Sequence, residues 1–278
     1  MGFREARSLP SWRRIALSAW GPPKSPAAYG AIELDCEPAL AYIAENRART
    51  SEKITLTHLV GRAVALAIAE NPEVNGFVSL GRLMLRDSVD VFFQVAFFDE
   101  GAEKKESAAN LAGAKVRGAD TKSVVEIARE LREHTERIRS RGDAETARGS
   151  ATLAKLPAPL VGLATRAGAV LSYDLGLDLR RFGIPYDAFG SCMVTNVGVF
   201  GIAAGWAPLL ELSRVPIVLT LGAVREVPAV RGGELVVRRC ATVGVAFDHR
   251  IMDGYHAGKM ARRFLDAMEN PSVALAPA

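Results

Sequence analysis

The chain has 278 residues, 49% of them hydrophobic and 24% charged, a composition that excludes a predominantly disordered chain and a length that buries a core without covalent staples. Cys36, Cys192 and Cys240 are widely spaced and form no CxxC pair, so neither a disulfide framework nor a zinc knuckle is expected, and a reducing, cytoplasmic compartment is. The 35 Lys and Arg against 31 Asp and Glu leave a net charge of +4 scattered along a chain with 7% aromatics, which excludes the basic, aromatic-interleaved stripe of a nucleic-acid partner.

At the N-terminus, Arg4, Arg7, Arg13 and Arg14 are not followed by an apolar run with a small-residue cleavage site, so no signal peptide is predicted. A hinge at Pro22, Pro23 and Pro26 leads into residues 28–35, where Ile32 and Leu34 alternate with polar neighbours, the pattern of a half-buried strand. Behind Thr57, Leu59, Val60, Ala63, Val64, Ala67 and Ile68 recur at helical spacing until Pro72, which predicts a core helix of about four turns. Residues 89–98, VDVFFQVAFF, are rich in β-branched and aromatic side chains and read as a strand.

Residues 121–141 return to helical period through Val124, Ile127, Ala128, Leu131 and Ile138, with Thr121 as the cap and Gly142 as the stop. Glu126, Glu130, Glu133 and Glu136 balance the arginines of that segment, which marks a solvated face. The apolar stretch 153–171 is broken by Lys155, Pro157, Pro159 and Arg166, too polar for a membrane span. Three long strands are predicted at 190–199, 216–225 and 235–247, with Gly232-Gly233 turning a hairpin between the last two. From Tyr255 on, Ala257, Met260, Ala261, Phe264, Leu265 and Met268 line one helix face up to Asn270-Pro271. Long strands mixed irregularly with helices predict an α+β or mixed α/β fold with one main sheet, a single domain behind an N-terminal arm.

The densest group of functional side chains is FDHRIMDGYH, residues 247–256, at the junction of the last strand and the last helix. His249 is one of four histidines. An imidazole titrates near neutrality, and a strand end fixes its position, so His249 is a candidate general base. The alternative is a surface or hydrogen-bonding histidine, with Asp253 serving as an ordinary helix N-cap before Gly254.

The run His249-Arg250-Ile251-Met252-Asp253-Gly254 resembles the HxxxDG signature of the chloramphenicol acetyltransferase fold. With Asp248 in front, DHRxxDG ahead of an amphipathic helix is similar to the catalytic domain of the dihydrolipoyl acyltransferases of 2-oxo acid dehydrogenase complexes. RRIALSAW, KITLTHLVGRAVALAIAENPEVN, GADTKSVVEIARELREHTERIRS and MVTNVGVFG match in the expected order, and the resemblance spans most of residues 10–270. It implies an α/β, α+β sandwich-like fold of the chloramphenicol acetyltransferase type, with one main mixed sheet covered by helices.

The activity implied is acyl transfer between coenzyme A and a dihydrolipoyl-type thiol by His-assisted thioester exchange, with acyl-CoA as substrate and no metal; the acceptor is either a lipoyl group, only if supplied in trans, or a free thiol. By position, His249 deprotonates the attacking thiol and Thr195 donates its hydroxyl to the oxyanion. The alternative for Thr195 is a plain β-branched strand residue. Asp253 completes the catalytic set in a supporting role, as the carboxylate of an ion pair with Arg14, Arg13 being the other candidate. Asn75, Asn196 and Gly254 are expected along the substrate channel, although Asn75 also suits a turn after its helix; His256 is not expected to react. The resemblance further implies a homotrimer or a larger assembly of trimers, with His249 and Thr195 contributed by neighbouring chains; a separate lipoyl-domain protein is a partner only if the lipoyl group is supplied in trans.

Two departures stand out. No lipoyl domain, subunit-binding module or Ala-Pro linker is read in the chain, so the expected organisation is an arm at 1–27 and a catalytic domain at 28–278. That domain carries an insertion at 143–189, where the family has a short connection. An insertion of this length calls for one or two helices of its own, and it could roof the acyl pocket, block docking of a lipoyl domain, join trimers, or merely elaborate the surface. The loop ANLAGAKVR, residues 109–117, also lacks the Thr-Pro the family carries there. Two other functions stay open: a small-molecule O- or N-acetyltransferase of the same fold, and a non-catalytic trimeric core.

Overall fold

The computed structural model describes residues 25–97, 110–140, 158–180 and 186–275. In chain order its elements are β1 (Ala27–Asp35), α1 (Glu37–Arg49), α2 (Leu56–Ala69), β2 (Gly76–Ser79), β3 (Arg82–Leu85), β4 (Val91–Phe97), β5 (Asn110–Val116), α3 (Val124–Ser140), α4 (Ala158–Ala169), β6 (Cys192–Asn196), β7 (Ile217–Leu221), β8 (Arg225–Arg231), β9 (Glu234–Asp248), α5 (Gly254–Glu269) and α6 (Pro271–Ala274). The main sheet has seven strands in the order β1-β9-β7-β6-β4-β5, with β8 pairing on β9, and β2-β3 form a separate hairpin. β4, β6 and β7 run parallel to one another, and the remaining pairs are antiparallel. This is the mixed sheet expected from the sequence.

The two faces of the sheet are covered differently, and the alternation along the strands shows it. Ile217, Leu219 and Leu221 of β7 and Val243 and Phe247 of β9 point into the large core shared with α1, α2, α3 and α5. Val218 and Ala246 point the other way, into a small cluster with Val215, Met193, Ala207 and Leu209. All five residues of β7 are buried, as befits a central strand covered on both sides. α2 buries ten of its fourteen residues, so it lies in the core rather than on it.

Several boundaries differ from the sequence reading. The α2 cap is Thr55, in a capping box with His58, not Thr57. α3 is capped by Ser123, whose hydroxyl accepts from the Glu126 amide at 3.2 Å while the Glu126 carboxylate accepts from the Ser123 amide at 2.8 Å. Thr121 instead closes the preceding turn by donating to the Gly118 carbonyl, and Gly142 lies outside the described residues. The predicted Gly232-Gly233 hairpin is present, but its first arm is a fourth strand, β8, which pairs with the first half of β9 from Arg231↔Glu234 to Arg225↔Cys240. Within residues 143–189, the described part holds α4 and a π-helical turn, Val170–Asp174.

The α2 capping box carries a pH dependence. His58 accepts from the Thr55 amide through Nδ1, and burial, with the Arg47 cation adding to it, pushes its imidazole down to about 4 from 6.5. The unfolded chain binds this proton below its ordinary value and the folded chain does not, so the stabilisation is complete above pH 6.5 and is lost as the pH falls toward 4. Urea unfolding is expected to show a loss on the order of 2 kcal/mol between pH 7 and pH 4.5, and a His58→Gln chain a markedly flatter profile.

Candidate active site

The last strand ends in a turn that displays one imidazole. The Asp248 amide donates to the Pro216 carbonyl at 2.9 Å, and the Asp248 carbonyl accepts from the amides of Ile251 and Met252, which folds residues 249–251 into a tight bend. The Asp248 side chain is 10% exposed. Both its oxygens accept from the Arg250 guanidinium, Nε to Oδ1 at 2.9 Å and Nη2 to Oδ2 at 2.6 Å, and Oδ1 also accepts from the Arg250 amide at 3.0 Å. Met252, 3% exposed, plugs the bend into the core. His249 stands at the tip of this braced turn, exposed, with its amide donating to the Pro26 carbonyl at 2.9 Å and its ring tilted against Phe247 at 6.1 Å. Among the described residues nothing hydrogen-bonds the imidazole, which leaves its nitrogens available to a reacting partner.

Asp253 takes the capping position. It is the N-cap of α5, accepting from the amides of Tyr255 at 2.9 Å and His256 at 3.2 Å, and its Oδ1 lies 2.8 Å from His256 Nδ1. The hydrogen bond from His256 and those from the two amides hold its carboxyl below the usual range. With its side chain 58% exposed, Asp253 is not the partly buried carboxylate expected from the sequence. Arg14 and Arg13, the expected partners, lie outside the described residues. Among the described residues the ion pair at the His249 turn is Asp248–Arg250, which the sequence reading did not assign. Gly254 opens α5 with open space around its Cα.

Thr195 and Asn196 close β6. Thr195 pairs in register with Thr220 of β7, which pairs with Gly244 of β9. Asn196 Nδ2 donates to the Thr57 hydroxyl at 3.0 Å, and the chain then crosses the sheet face as a strap, residues 198–210. The strap lies directly on backbone: a Cβ at Gly222 would sit 2.0 Å from the Ala203 carbonyl oxygen, and one at Gly244 2.0 Å from that of Gly205. Ala207 N donates to Thr220 Oγ1 at 3.1 Å and Trp206 Nε1 to the Gly30 carbonyl at 2.6 Å. The Thr195 hydroxyl has no partner among the described residues and is only partly covered.

Within one chain these candidates do not meet. β6 and β7 run antiparallel to β9 in the sheet, so Thr195 lies at the end of the sheet opposite the His249 turn. From the register, five residues along β9 and two strand spacings separate them, roughly 20 Å. Asn75, expected on the channel, is 4% exposed and braces the β2-β3 hairpin, its Nδ2 donating to the carbonyls of Arg86 at 3.3 Å and Ser88 at 2.9 Å. Its turn reading is the one that the packing matches.

A cleft of about 240 Å³ opens beside the His249 turn, walled by Phe77, Val78, Leu210, Val215, Ile251 and the Asp248–Arg250 pair. Among the described residues no three His, Cys, Asp or Glu side chains gather as metal ligands, and no helix is long and apolar enough to cross a membrane.

Comparison with known proteins agrees with this architecture. Residues 22–153 and 188–276 match the family model of the 2-oxoacid dehydrogenases acyltransferase catalytic domain. The chain is 24% identical over 226 residues to the dihydrolipoyllysine-residue acetyltransferase component of the acetoin cleaving system of Bacillus subtilis, covering 81% of this chain and 44% of that protein. It is 35% identical over 86 residues to the dihydrolipoyllysine-residue succinyltransferase component of the mitochondrial 2-oxoglutarate dehydrogenase complex of Bos taurus, covering 31% of this chain and 18% of that one. The chain thus spans less than half the length of these relatives. A crystal structure of a probable dihydrolipoamide acetyltransferase from Listeria monocytogenes superposes with a TM-score of 0.61 at 18% identity, covering 99% of both chains. The family match leaves out residues 154–187, within the segment that the sequence reading marked as inserted. On a match to most of its length, the chain belongs to the 2-oxoacid dehydrogenase acyltransferase catalytic-domain family.

Proposed function

We propose that this chain is a CoA-dependent acyltransferase that moves an acyl group between CoA and a dihydrolipoyl-type thiol, with His249 as general base. The observation that carries the reading is the His249 turn: a solvent-facing imidazole on a bend locked by Asp248–Arg250 and anchored by Met252. A thiol with a pKa near 8.5 is only a few per cent ionised at neutral pH. His249 takes its proton as the sulfur attacks the thioester carbonyl, a C–S bond forms to the incoming thiol, the old C–S bond breaks, and the proton passes from His249 to the departing thiolate. Negative charge grows on the carbonyl oxygen between these events, and the Thr195 hydroxyl, free of other partners, is the donor that meets it. A separation of roughly 20 Å from His249 inside one chain supports a Thr195 contributed by a neighbouring chain, and the active form in this reading is the homotrimer or larger assembly of trimers that the family resemblance implies, with each site at a subunit boundary.

In this reading Asp253 is a positioning residue that orders the start of α5, and Asn196 and Gly254 flank the channel. Cys36 and Cys192 are buried free thiols, the first pushed up to about 12 by burial, in keeping with a reducing compartment such as the cytoplasm.

The test is release of free thiol when the purified chain is given acyl-CoA together with dihydrolipoamide, or with an amine or alcohol acceptor. Turnover with dihydrolipoamide at least a hundredfold above that with the other acceptors is expected. The reverse preference assigns the chain to small-molecule acetyl transfer, and no turnover with any acceptor makes it a structural core.

A further inference from the structure

The cleft beside His249 has a back wall that is held from residues 154–187, the stretch outside the family match. Phe77 of that wall meets the Tyr173 ring edge-on at 5.3 Å and carries the Arg86 guanidinium over its face at 5.0 Å. Tyr173 donates to the Ser213 carbonyl at 3.2 Å. The neighbouring Asp174, 7% exposed, pairs with Arg214 at 2.9 Å, and Arg214 donates from its other Nη to the Val78 carbonyl. Arg214 lines the cleft in a left-handed conformation, φ 53°, which a non-glycine residue holds only when its surroundings fix it. Further along the same stretch, Asp187 takes Arg86 in a bidentate pair at 2.8 and 2.9 Å, and Arg86 in turn donates to the Arg214 carbonyl. Two carboxylates of residues 154–187 therefore neutralise two largely buried arginines, and each arginine would be an uncompensated charge without its partner.

The charge left inside the cleft follows from these pairings. Arg250 is taken by Asp248 and Arg214 by Asp174. Glu211 also lines the cleft, exposed and within electrostatic reach of Arg250, and among the described residues it makes no ion pair of its own. Apart from Ser25, the remaining wall is apolar, with Phe77, Val78, Leu210, Val215 and Ile251 in it. A terminal carboxylate entering here would lose water, find no unpaired cation among the described lining residues and face Glu211, whereas an uncharged hydrocarbon chain would gain by burial.

Resting on the acyltransferase reading, we propose that Tyr173, Asp174 and Asp187, which lie in the stretch that the family match leaves out, form the specificity element of the site. Tyr173 and Asp174 hold Phe77 and Arg214 as the back wall of the cleft, which takes a neutral, apolar acyl chain in preference to a dicarboxylic one. Tyr173 and Asp174 are positioning residues; they act through the wall, not on the reacting atoms.

The experiment compares acetyl-, isobutyryl- and succinyl-CoA as donors to dihydrolipoamide in the assembled full chain. Isobutyryl-CoA is expected to exceed succinyl-CoA at least tenfold in kcat/KM. Asp174→Asn leaves the Arg214 charge unpaired at the cleft, so the KM for succinyl-CoA should fall severalfold while that for isobutyryl-CoA rises, and Asp174→Glu should restore the original preference. A purely structural role would lower all three substrates in parallel, mainly through kcat, and that result overturns the proposal. Should Asp174→Asn not yield folded protein, Glu211→Gln on the exposed rim serves in its place and should shift the preference toward succinyl-CoA severalfold; an unshifted preference overturns the proposal. Wild-type preference for succinyl-CoA sinks the selectivity claim and leaves the acyltransferase reading standing. No thiol release from any of the three sinks both.

Discussion

His249→Ala is expected to lower turnover by a factor of 10² to 10⁴, the usual cost of losing a general base, with folding and assembly intact. The side chain is exposed, makes no hydrogen bond to any described residue, and touches only Phe247 through a tilted ring contact at 6.1 Å, so its removal opens no cavity and strands no polar partner. Thiol release at saturating acyl-CoA and dihydrolipoamide gives the rate, and a thermal melt alongside gives the fold. Turnover within a few-fold of wild type would take His249 out of the mechanism. An unfolded variant would show that the Asp248–Arg250 bend depends on the imidazole, against the geometry described above.

The second large effect is a rescue. His249→Ala and Thr195→Ala chains, each nearly inactive alone, are expected to recover activity when unfolded together and reassembled. At equal mixing, about a quarter of the boundaries in a closed trimer pair an intact histidine with an intact threonine, so about a quarter of wild-type activity is expected. A site formed within one chain predicts none at any ratio, and sedimentation as a monomer would exclude the boundary site directly. Thr195→Ala alone should lower kcat with little change in KM, because its hydrogen bond strengthens as the oxyanion develops.

The parts of this molecule that could be read from sequence are those whose signals are local. α2 and α5 announce themselves by apolar spacing, β1 by alternation, and the turn bearing His249 by a motif of a few consecutive residues. β8 escaped because Arg225, Glu226, Pro228 and Arg231 make it polar and interrupted; it is a strand only because β9 extends past β7 and offers it an edge. α1 escaped because its apolar residues are mostly alanines grouped in one run rather than at helical spacing, with only Ala39 and Ile43 buried. The pairs Arg86–Asp187 and Arg214–Asp174 join residues 101 and 40 positions apart, and no spacing rule links such partners. The role of Asp253 shows the same limit from the other side: its capping geometry is local and legible, whereas a partner in the arm is not.

The place of β9 has a consequence for how the chain is made. β9 lies between β1, the first strand, and β7, and β8 hangs on its far half. Among the described residues β1 pairs with no other strand, so its ladder to β9 cannot form before residues 240–248 have left the ribosome. The sheet thus closes from the last third of the chain, after translation of nearly all the rest, and the open strand edges of the waiting segment invite aggregation in the interval.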